Sequence, residues 1–339
     1  MAALGVTIFH AFYPWLVVPC PRGFGWLADF ARQGWRGVHL FFVISGYCIA
    51  QLAYREYKQQ RRVTHFLANR CLRIFPPYWA ACVIAAALAV SAAPFNHAPL
   101  FTTLGKIGAL PGSWADVFSH ASLLDPALGR PGYLLVAWSL SWEVAFYFLT
   151  SILLLAVSVI GAWSAIALAL LLAVAGTNAY CVTFLPSLSG WAEFVCGACV
   201  FAAYAAKLQG RAAWPWLASI TMLGGIGCAK DGIFSLLLFA ALFALLLHGL
   251  RRYDSLLNLA AGAWLGRIGL WSYSLYLIHA PFISYGRNFF SHFFPDSTPW
   301  FIMPIAFCIC ASIGVAWIFY TYIETPIENW RHQLLQSHQ

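Results

Sequence analysis

Apolar segments recur from one end of this chain to the other and leave little polar surface for a water-soluble fold. Of its 339 residues, 62% are hydrophobic and 9% are charged, whereas a soluble domain carries about a quarter charged residues. A helix needs ~20 residues to cross a bilayer, and backbone groups in lipid must bond within their own segment. We therefore expect an integral membrane protein of the all-α class.

Ten segments approach the length and apolarity of a transmembrane helix. They lie near 1–19, 36–54, 76–94, 134–156, 159–176, 190–206, 214–229, 232–249, 265–286 and 300–322. The first lacks the basic start and cleavage site of a signal peptide, which favours a retained span. We predict a polytopic transmembrane helix bundle of about ten spans, forming a single membrane-embedded domain over residues 1–339.

Basic residues indicate how the spans are oriented. The densest cluster follows the second span and consists of Arg55, Lys58, Arg61, Arg62, Arg70 and Arg73. The positive-inside rule makes this loop cytoplasmic, which with ten spans places both termini in the cytoplasm. The net charge of +8 is spread between apolar spans, so it indicates anionic lipid headgroups and no nucleic acid.

The cysteines do not predict a metal site. Most of the ten lie inside apolar segments, where cysteine behaves as a small hydrophobic residue. Cys196 and Cys199 have the C-x-x-C spacing, but no second pair or histidine cluster completes a site.

Ionisable residues inside spans carry the functional signal, because burial there is costly without a partner or a cavity. His10 lies in the middle of the first span and suits general acid–base work, with a structural histidine as the alternative. Glu143 is the only acidic residue of a long apolar segment. It is expected either to orient an imidazole or to form a structural ion pair.

In two further pairs, the two members are three residues apart and so share a helix face. Arg70 and Arg73, at the cytosolic boundary, suit a phosphorylated ligand, although headgroup contact and positive-inside signalling are favoured on position alone. Tyr276 and His279, near the outer end of the ninth span, suit either an acceptor or the membrane interface. For Glu193 and Glu324 a structural role is favoured, and the following Thr325-Pro326 predicts that the last helix ends at Glu324.

Several of these residues belong to motifs that occur in a fixed order. The motifs are His10, the Gly37–Tyr47 segment G-V-H-L-F-F-V-I-S-G-Y, Arg70-x-x-Arg73 with Pro76, Tyr78 and Trp79, the Trp138–Tyr147 segment W-S-L-x-x-E-x-x-F-Y, the Ser272–His279 segment S-Y-S-L-Y-L-I-H, and Glu324-Thr325-Pro326. Over nearly the whole chain this order resembles the acyltransferase 3 family of bacterial integral membrane acyltransferases, in its standalone form. The family usually has Asp at the position of His39 and a basic residue before the first-span histidine, where this sequence has no Lys or Arg.

The resemblance implies O-acylation, most often O-acetylation, of a carbohydrate, glycolipid or other hydroxyl-bearing acceptor. The implied donor is acetyl-CoA or another acyl-CoA, with no permanently bound cofactor, and the implied location is a bacterial inner membrane. His10 and Glu143 are then the catalytic candidates, with Glu143 orienting the His10 ring, and Arg70, Arg73 and Tyr78 are the donor-binding candidates. Candidates for acceptor binding or support are His39, Ser45, Ser139, Tyr147, Tyr276, His279 and Glu324.

Two other functions fit a ten-span bundle. A transporter or flippase would also place ionisable groups at mid-membrane, but it should show internal repeats, and none is found. A non-catalytic member of the same fold is the other alternative, favoured by His39. A homo-oligomer is compatible with either function.

Overall fold

The structure of the protein is a computed structural model, and it describes residues 2–17, 24–92, 112–125, 127–130, 133–178, 188, 190–250, 266–267, 269–293 and 302–336. Within these ranges the regular structure is entirely helical, which confirms the predicted all-α class. The helices, numbered in chain order, are α1 (Ala2–Val17), α2 (Gly25–Arg32), α3 (Gly37–Lys58), α4 (Val63–Ala92), α5 (Trp114–Ala121), α6 (Ala137–Gly176), α7 (Trp191–Leu208), α8 (Trp214–Asp231), α9 (Leu236–Leu250), α10 (Ser272–Phe293), α11 (Ile302–Phe319) and α12 (Thr325–Gln336).

Five helical segments of the described chain are long and apolar enough to cross a membrane. They are Gly25–Lys58, Val63–Ser91, Ala137–Gly176, Trp191–Leu208 and Ile302–Gln336, and the shorter apolar segments Ala2–Tyr13 and Leu236–Leu250 accompany them. These segments support an integral membrane protein. The number of ten spans and the cytoplasmic placement of both termini stay predictions.

The longest helix, α6, is broken at Gly161. This residue has φ 78° and ψ 162°, a conformation outside the helical region that glycine adopts at low cost because it has no Cβ atom. The break falls at the start of the predicted 159–176 span. It divides the 40 helical residues into two segments near the predicted spans 134–156 and 159–176.

The last helix does not end at Glu324, so that prediction is wrong. A single π-helical turn, Tyr320–Glu324, joins α11 to α12, which continues to Gln336. Proline is tolerated in the first turn of a helical segment because its missing N–H has no partner there. Thr325-Pro326 therefore marks the start of a new segment, and π turns of this kind are frequent at functional sites.

The chain divides into two compact units. The first comprises Met1–Gly37, Leu72–Leu140 and Trp264–Gln339. Part of its core joins α1, α2, α10 and α11 through the buried residues Ala11, Phe12, Ala31, Ile283, Ile305 and Cys308. This packing fixes α1, which carries His10, against α10, which carries His279.

The second unit comprises Val38–Cys71 and Ser141–Ala263. Its helices α3 and α7 approach through glycine on both sides. A Cβ atom on Gly46 would lie 1.9 Å from the carbonyl oxygen of Phe194, and one on Gly197 would lie 1.9 Å from that of Val43. The two backbones can approach this closely only because both positions lack a side chain.

Candidate active site

Two histidines lie side by side in the first unit. His10 of α1 and His279 of α10 have ring centroids 5.2 Å apart, with an angle of 36° between the ring planes. The sequence predicts each residue as a candidate, but helical periodicity within one segment contains no information on which helices meet. The structure supplies their pairing.

The tautomer of His279 follows from its hydrogen bonds. Its Nδ1 lies 3.0 Å from the carbonyl oxygen of Leu275 and 2.9 Å from that of Tyr276. Carbonyl oxygens only accept, so Nδ1 carries the proton, and in the neutral ring Nε2 holds the lone pair. The Nε2 atom is buried and has no hydrogen-bond partner among the described residues. Buried polar atoms are nearly always hydrogen-bonded, so this unprotonated nitrogen beside His10 is a candidate functional group.

Ser139 and Tyr276 extend the histidine pair. Their hydroxyl groups are hydrogen-bonded to each other, and the Ser139 hydroxyl also donates to the carbonyl of Val136 at 3.0 Å. The Tyr276 ring centroid lies 5.9 Å from that of His279. The structure thus brings four predicted candidates into the same unit: His10, His279, Tyr276 and Ser139.

Arg73 and Glu324 line a groove of the first unit, beside the start of α12. Glu324 is buried and accepts a hydrogen bond from the Ser274 hydroxyl. Arg73 Nη1 lies 3.6 Å from Glu328 Oε1. The Arg73 side chain is 42% exposed and lies at the surface of this groove.

Tyr78 is fully buried in the same unit. Its hydroxyl donates to the backbone carbonyl of His120 at 2.9 Å. This bond ties α4 to α5 and gives Tyr78 a packing role in the described structure. Its predicted part in donor binding stays a prediction.

A histidine–carboxylate pair at the end of α5 is not among the candidates that the sequence predicts. His120 Nδ1 donates to Asp125 Oδ1 at 2.7 Å, and Asp125 is fully buried. The Tyr133 ring packs 5.8 Å from the His120 ring, and burial raises the pKa of Tyr133 to about 12. In the sequence, this cluster is marked only by a histidine and an aspartate five residues apart.

In the second unit, Glu143 accepts two hydrogen bonds on one oxygen atom. The hydroxyl of Ser45 donates to its Oε1 at 3.0 Å and that of Tyr147 at 2.6 Å. Two predicted candidates, Ser45 and Tyr147, therefore bind the buried carboxylate of a third, Glu143. The expected pairing of Glu143 with His10 joins residues of different units and stays a prediction.

Arg70 also makes its contacts in the second unit. Its Nη2 donates to the carbonyl of Cys48 at 3.1 Å, and its guanidinium lies 5.9 Å from the centre of the Tyr147 ring. The joint role predicted for Arg70 and Arg73 stays a prediction, because the two residues belong to different units.

His39 and Glu193 form a buried pair in the second unit. Both carboxylate oxygens of Glu193 lie close to His39 Nδ1, at 2.8 and 2.9 Å. An aspartate at position 39, as the motif usually has, would place a second carboxylate next to the buried Glu193. Histidine supplies a donor instead, which gives this departure a physical reason and gives Glu193 a defined partner.

Metal binding is not indicated in the part of the chain that the structure describes, where no three His, Cys, Asp or Glu side chains are grouped to hold an ion. The chemistry available at the histidine pair is proton transfer or nucleophilic attack by an imidazole.

One comparison with known proteins gives a match. The model of the acyltransferase 3 family, described as an acyltransferase domain, matches residues 1–321. It confirms the resemblance predicted from the motifs. Comparisons with curated proteins and with solved structures gave no match.

Proposed function

The chain belongs to the acyltransferase 3 family, and from this premise we propose that it moves an acyl group from a cytosolic acyl-CoA to a hydroxyl group. The acyl group is acetyl in the simplest case. The acceptor is a carbohydrate, a glycolipid or a similar hydroxyl-bearing compound. The protein would act within the lipid bilayer, which in a bacterium is the inner membrane.

His10 is the proposed catalytic base. Its ring would take the proton from the acceptor hydroxyl as the oxygen attacks the thioester carbonyl carbon. The carbon–sulfur bond then breaks, and the imidazolium returns the proton to the departing thiolate, which leaves an ester and free CoA. General base catalysis of this kind contributes 10²- to 10⁴-fold in rate.

His279 is proposed as a positioning residue for His10. Its Nδ1–H is held by two backbone carbonyls, so its ring orientation and tautomer are fixed. The fixed His279 ring would hold the neighbouring His10 ring in one orientation, so that its nitrogen meets the acceptor hydroxyl in a productive geometry.

A covalent route uses the same residues. The His10 imidazole would attack the thioester first, releasing CoA and forming an acyl-imidazole, which the acceptor hydroxyl would then cleave. Two-substrate kinetics separate the two routes. Ping-pong kinetics, with exchange of labelled CoA into acetyl-CoA when no acceptor is present, indicate the covalent route. A sequential pattern without this exchange indicates general base catalysis.

The donor is proposed to bind with its phosphates at the cytosolic side. Arg70 and Arg73 would hold them, because guanidinium groups bind phosphate oxygens in bidentate fashion. Acyl-CoA is then a substrate that leaves after each turnover, so no cofactor is bound permanently.

The juxtaposition of His10 and His279 is the observation that carries this proposal. It is tested by incubating membranes that contain the protein with acetyl-CoA labelled in the acetyl group. We expect label in a hydroxylamine-sensitive ester, lost in His10→Ala and retained in Gln336→Ala, which alters an exposed residue at the end of α12. Equal labelling in all three samples and in empty membranes would favour a transporter or a non-catalytic protein.

A further inference from the structure

The groove beside α12 contains two arginines that face the same acid. Its lining consists of Leu72, Arg73, Pro77, Glu324, Ile327, Glu328 and Arg331. Arg73 comes from α4 and Arg331 from α12, so the two guanidinium groups reach the groove from different helices. The motifs of the sequence include Arg73 but not Arg331 or Glu328.

A single carboxylate oxygen lies between the two guanidinium groups. Glu328 Oε1 is 2.9 Å from Arg331 Nη2 and 3.6 Å from Arg73 Nη1. Guanidinium groups bind carboxylate and phosphate oxygens alike. The Glu328 carboxylate therefore occupies the position of an anionic ligand.

Arg331 and Glu328 differ in how deeply their side chains are buried. Arg331 has a side chain only 6% exposed, whereas the Glu328 side chain is 35% exposed and the Arg73 side chain 42% exposed. A buried guanidinium is held in place by its surroundings, but a half-exposed glutamate on a helix surface can rotate into solvent. The acid can thus leave the groove while Arg331 stays.

We propose that this groove is a binding site for a phosphate or diphosphate group, with Arg331 and Arg73 as its ligands and Glu328 as an internal competitor. Where that group is the diphosphate of the donor, the inference rests on the proposed function and adds Arg331 to the donor site. The incoming phosphate replaces the Glu328 carboxylate between the two guanidinium groups. Donor binding is then opposed by a charge within the protein.

Glu328→Gln is the most informative variant. Glutamine keeps the size of the side chain and an oxygen that accepts from Arg331, so the fold is retained while the competing charge is lost. We expect CoA to bind roughly two- to fivefold more tightly, the range corresponding to a partly exposed ion pair. Arg331→Gln should weaken CoA binding by roughly tenfold or more, because it removes a charged hydrogen-bond donor.

The measurement is calorimetric titration of CoA into the protein in nanodiscs of neutral phosphatidylcholine. Asp231→Asn is the matched control, since it also removes one negative charge, at an exposed position at the end of α8. Tighter binding in Glu328→Gln with no change in Asp231→Asn supports a donor phosphate in the groove. If wild type, Glu328→Gln and Arg331→Gln bind CoA with equal affinity, the donor phosphate does not bind in this groove.

A lipid headgroup offers the same phosphate chemistry, and a second arm separates the two sources. Native mass spectrometry counts the phosphatidylglycerol molecules retained by each variant. Retention that rises in Glu328→Gln and falls in Arg331→Gln, with CoA affinity unchanged, assigns the groove to a lipid phosphate. If wild type binds no CoA at all, the proposed donor fails, and lipid retention alone then decides whether the groove binds phosphate.

Discussion

The rings of His10 and His279 lie with their centroids 5.2 Å apart, and the Nδ1 proton of His279 is committed to the carbonyls of Leu275 and Tyr276. One histidine of the pair is therefore fixed in orientation and tautomer. The other is partly exposed and available for chemistry. Because His279 is fixed and His10 is accessible, the reaction is placed at His10.

His279→Asn distinguishes the role of Nδ1 from the role of Nε2 in the positioning histidine. The asparagine amide can still donate to the backbone carbonyls in place of Nδ1, but nothing replaces Nε2. We expect kcat for acyl transfer to fall by roughly 10²-fold, the cost of a misplaced catalytic group, with KM for acyl-CoA unchanged. The thermal unfolding midpoint in detergent should stay close to that of wild type, and a large drop in this midpoint with unchanged kcat would make His279 purely structural.

Tyr147→Phe removes one of the two hydroxyl donors to Glu143 without changing the shape of the ring. The loss of a hydrogen bond to a buried carboxylate should lower the free energy of unfolding by about 1.5–3 kcal/mol. Thermal unfolding of the purified protein measures the change. Tyr322→Phe, at an exposed position, is the control and should leave stability unchanged; equal midpoints for both variants would show that the bond contributes nothing.

His39→Asp restores the residue that the motif usually has, and we expect it to destabilise this chain. It would place a second carboxylate against the buried Glu193, and breaking a buried pair in this way costs about 3–5 kcal/mol. Adding Glu193→His to His39→Asp exchanges the partners and should recover part of the loss. Thermal unfolding of the single and double variants tests the pair, and a single variant as stable as wild type would contradict it.

Asp125→Asn tests the buried His120–Asp125 pair. The amide is a weaker acceptor for the His120 N–H than the carboxylate, so we expect the free energy of unfolding to fall by about 1–3 kcal/mol. Asp29→Asn, at an exposed position of α2, is the matched control. Limited proteolysis gives a second measurement, and cleavage after α5 should accelerate in Asp125→Asn but not in the control.

The all-helical class and the candidate residues could be proposed from the sequence, because apolar length and isolated ionisable groups are local signals. The pairings could not, since His39 and Glu193 are 154 positions apart and hydropathy does not specify which helices meet. Glu193 illustrates this limit: its sequence context favours a structural role, and only the structure identifies His39 as its partner. The predicted helix end at Glu324 failed for a different reason, because Thr-Pro starts a helical segment as readily as it follows one.

The most direct test of acyl transfer at His10 is the initial rate of free thiol release from acetyl-CoA by the purified protein in nanodiscs, with and without an extract of bacterial glycans as acceptor. Wild type should release CoA faster when the extract is present, and His10→Ala should lose 10²- to 10⁴-fold of this rate while still binding CoA. A His10→Ala variant that releases CoA at the wild-type rate would contradict catalysis by His10.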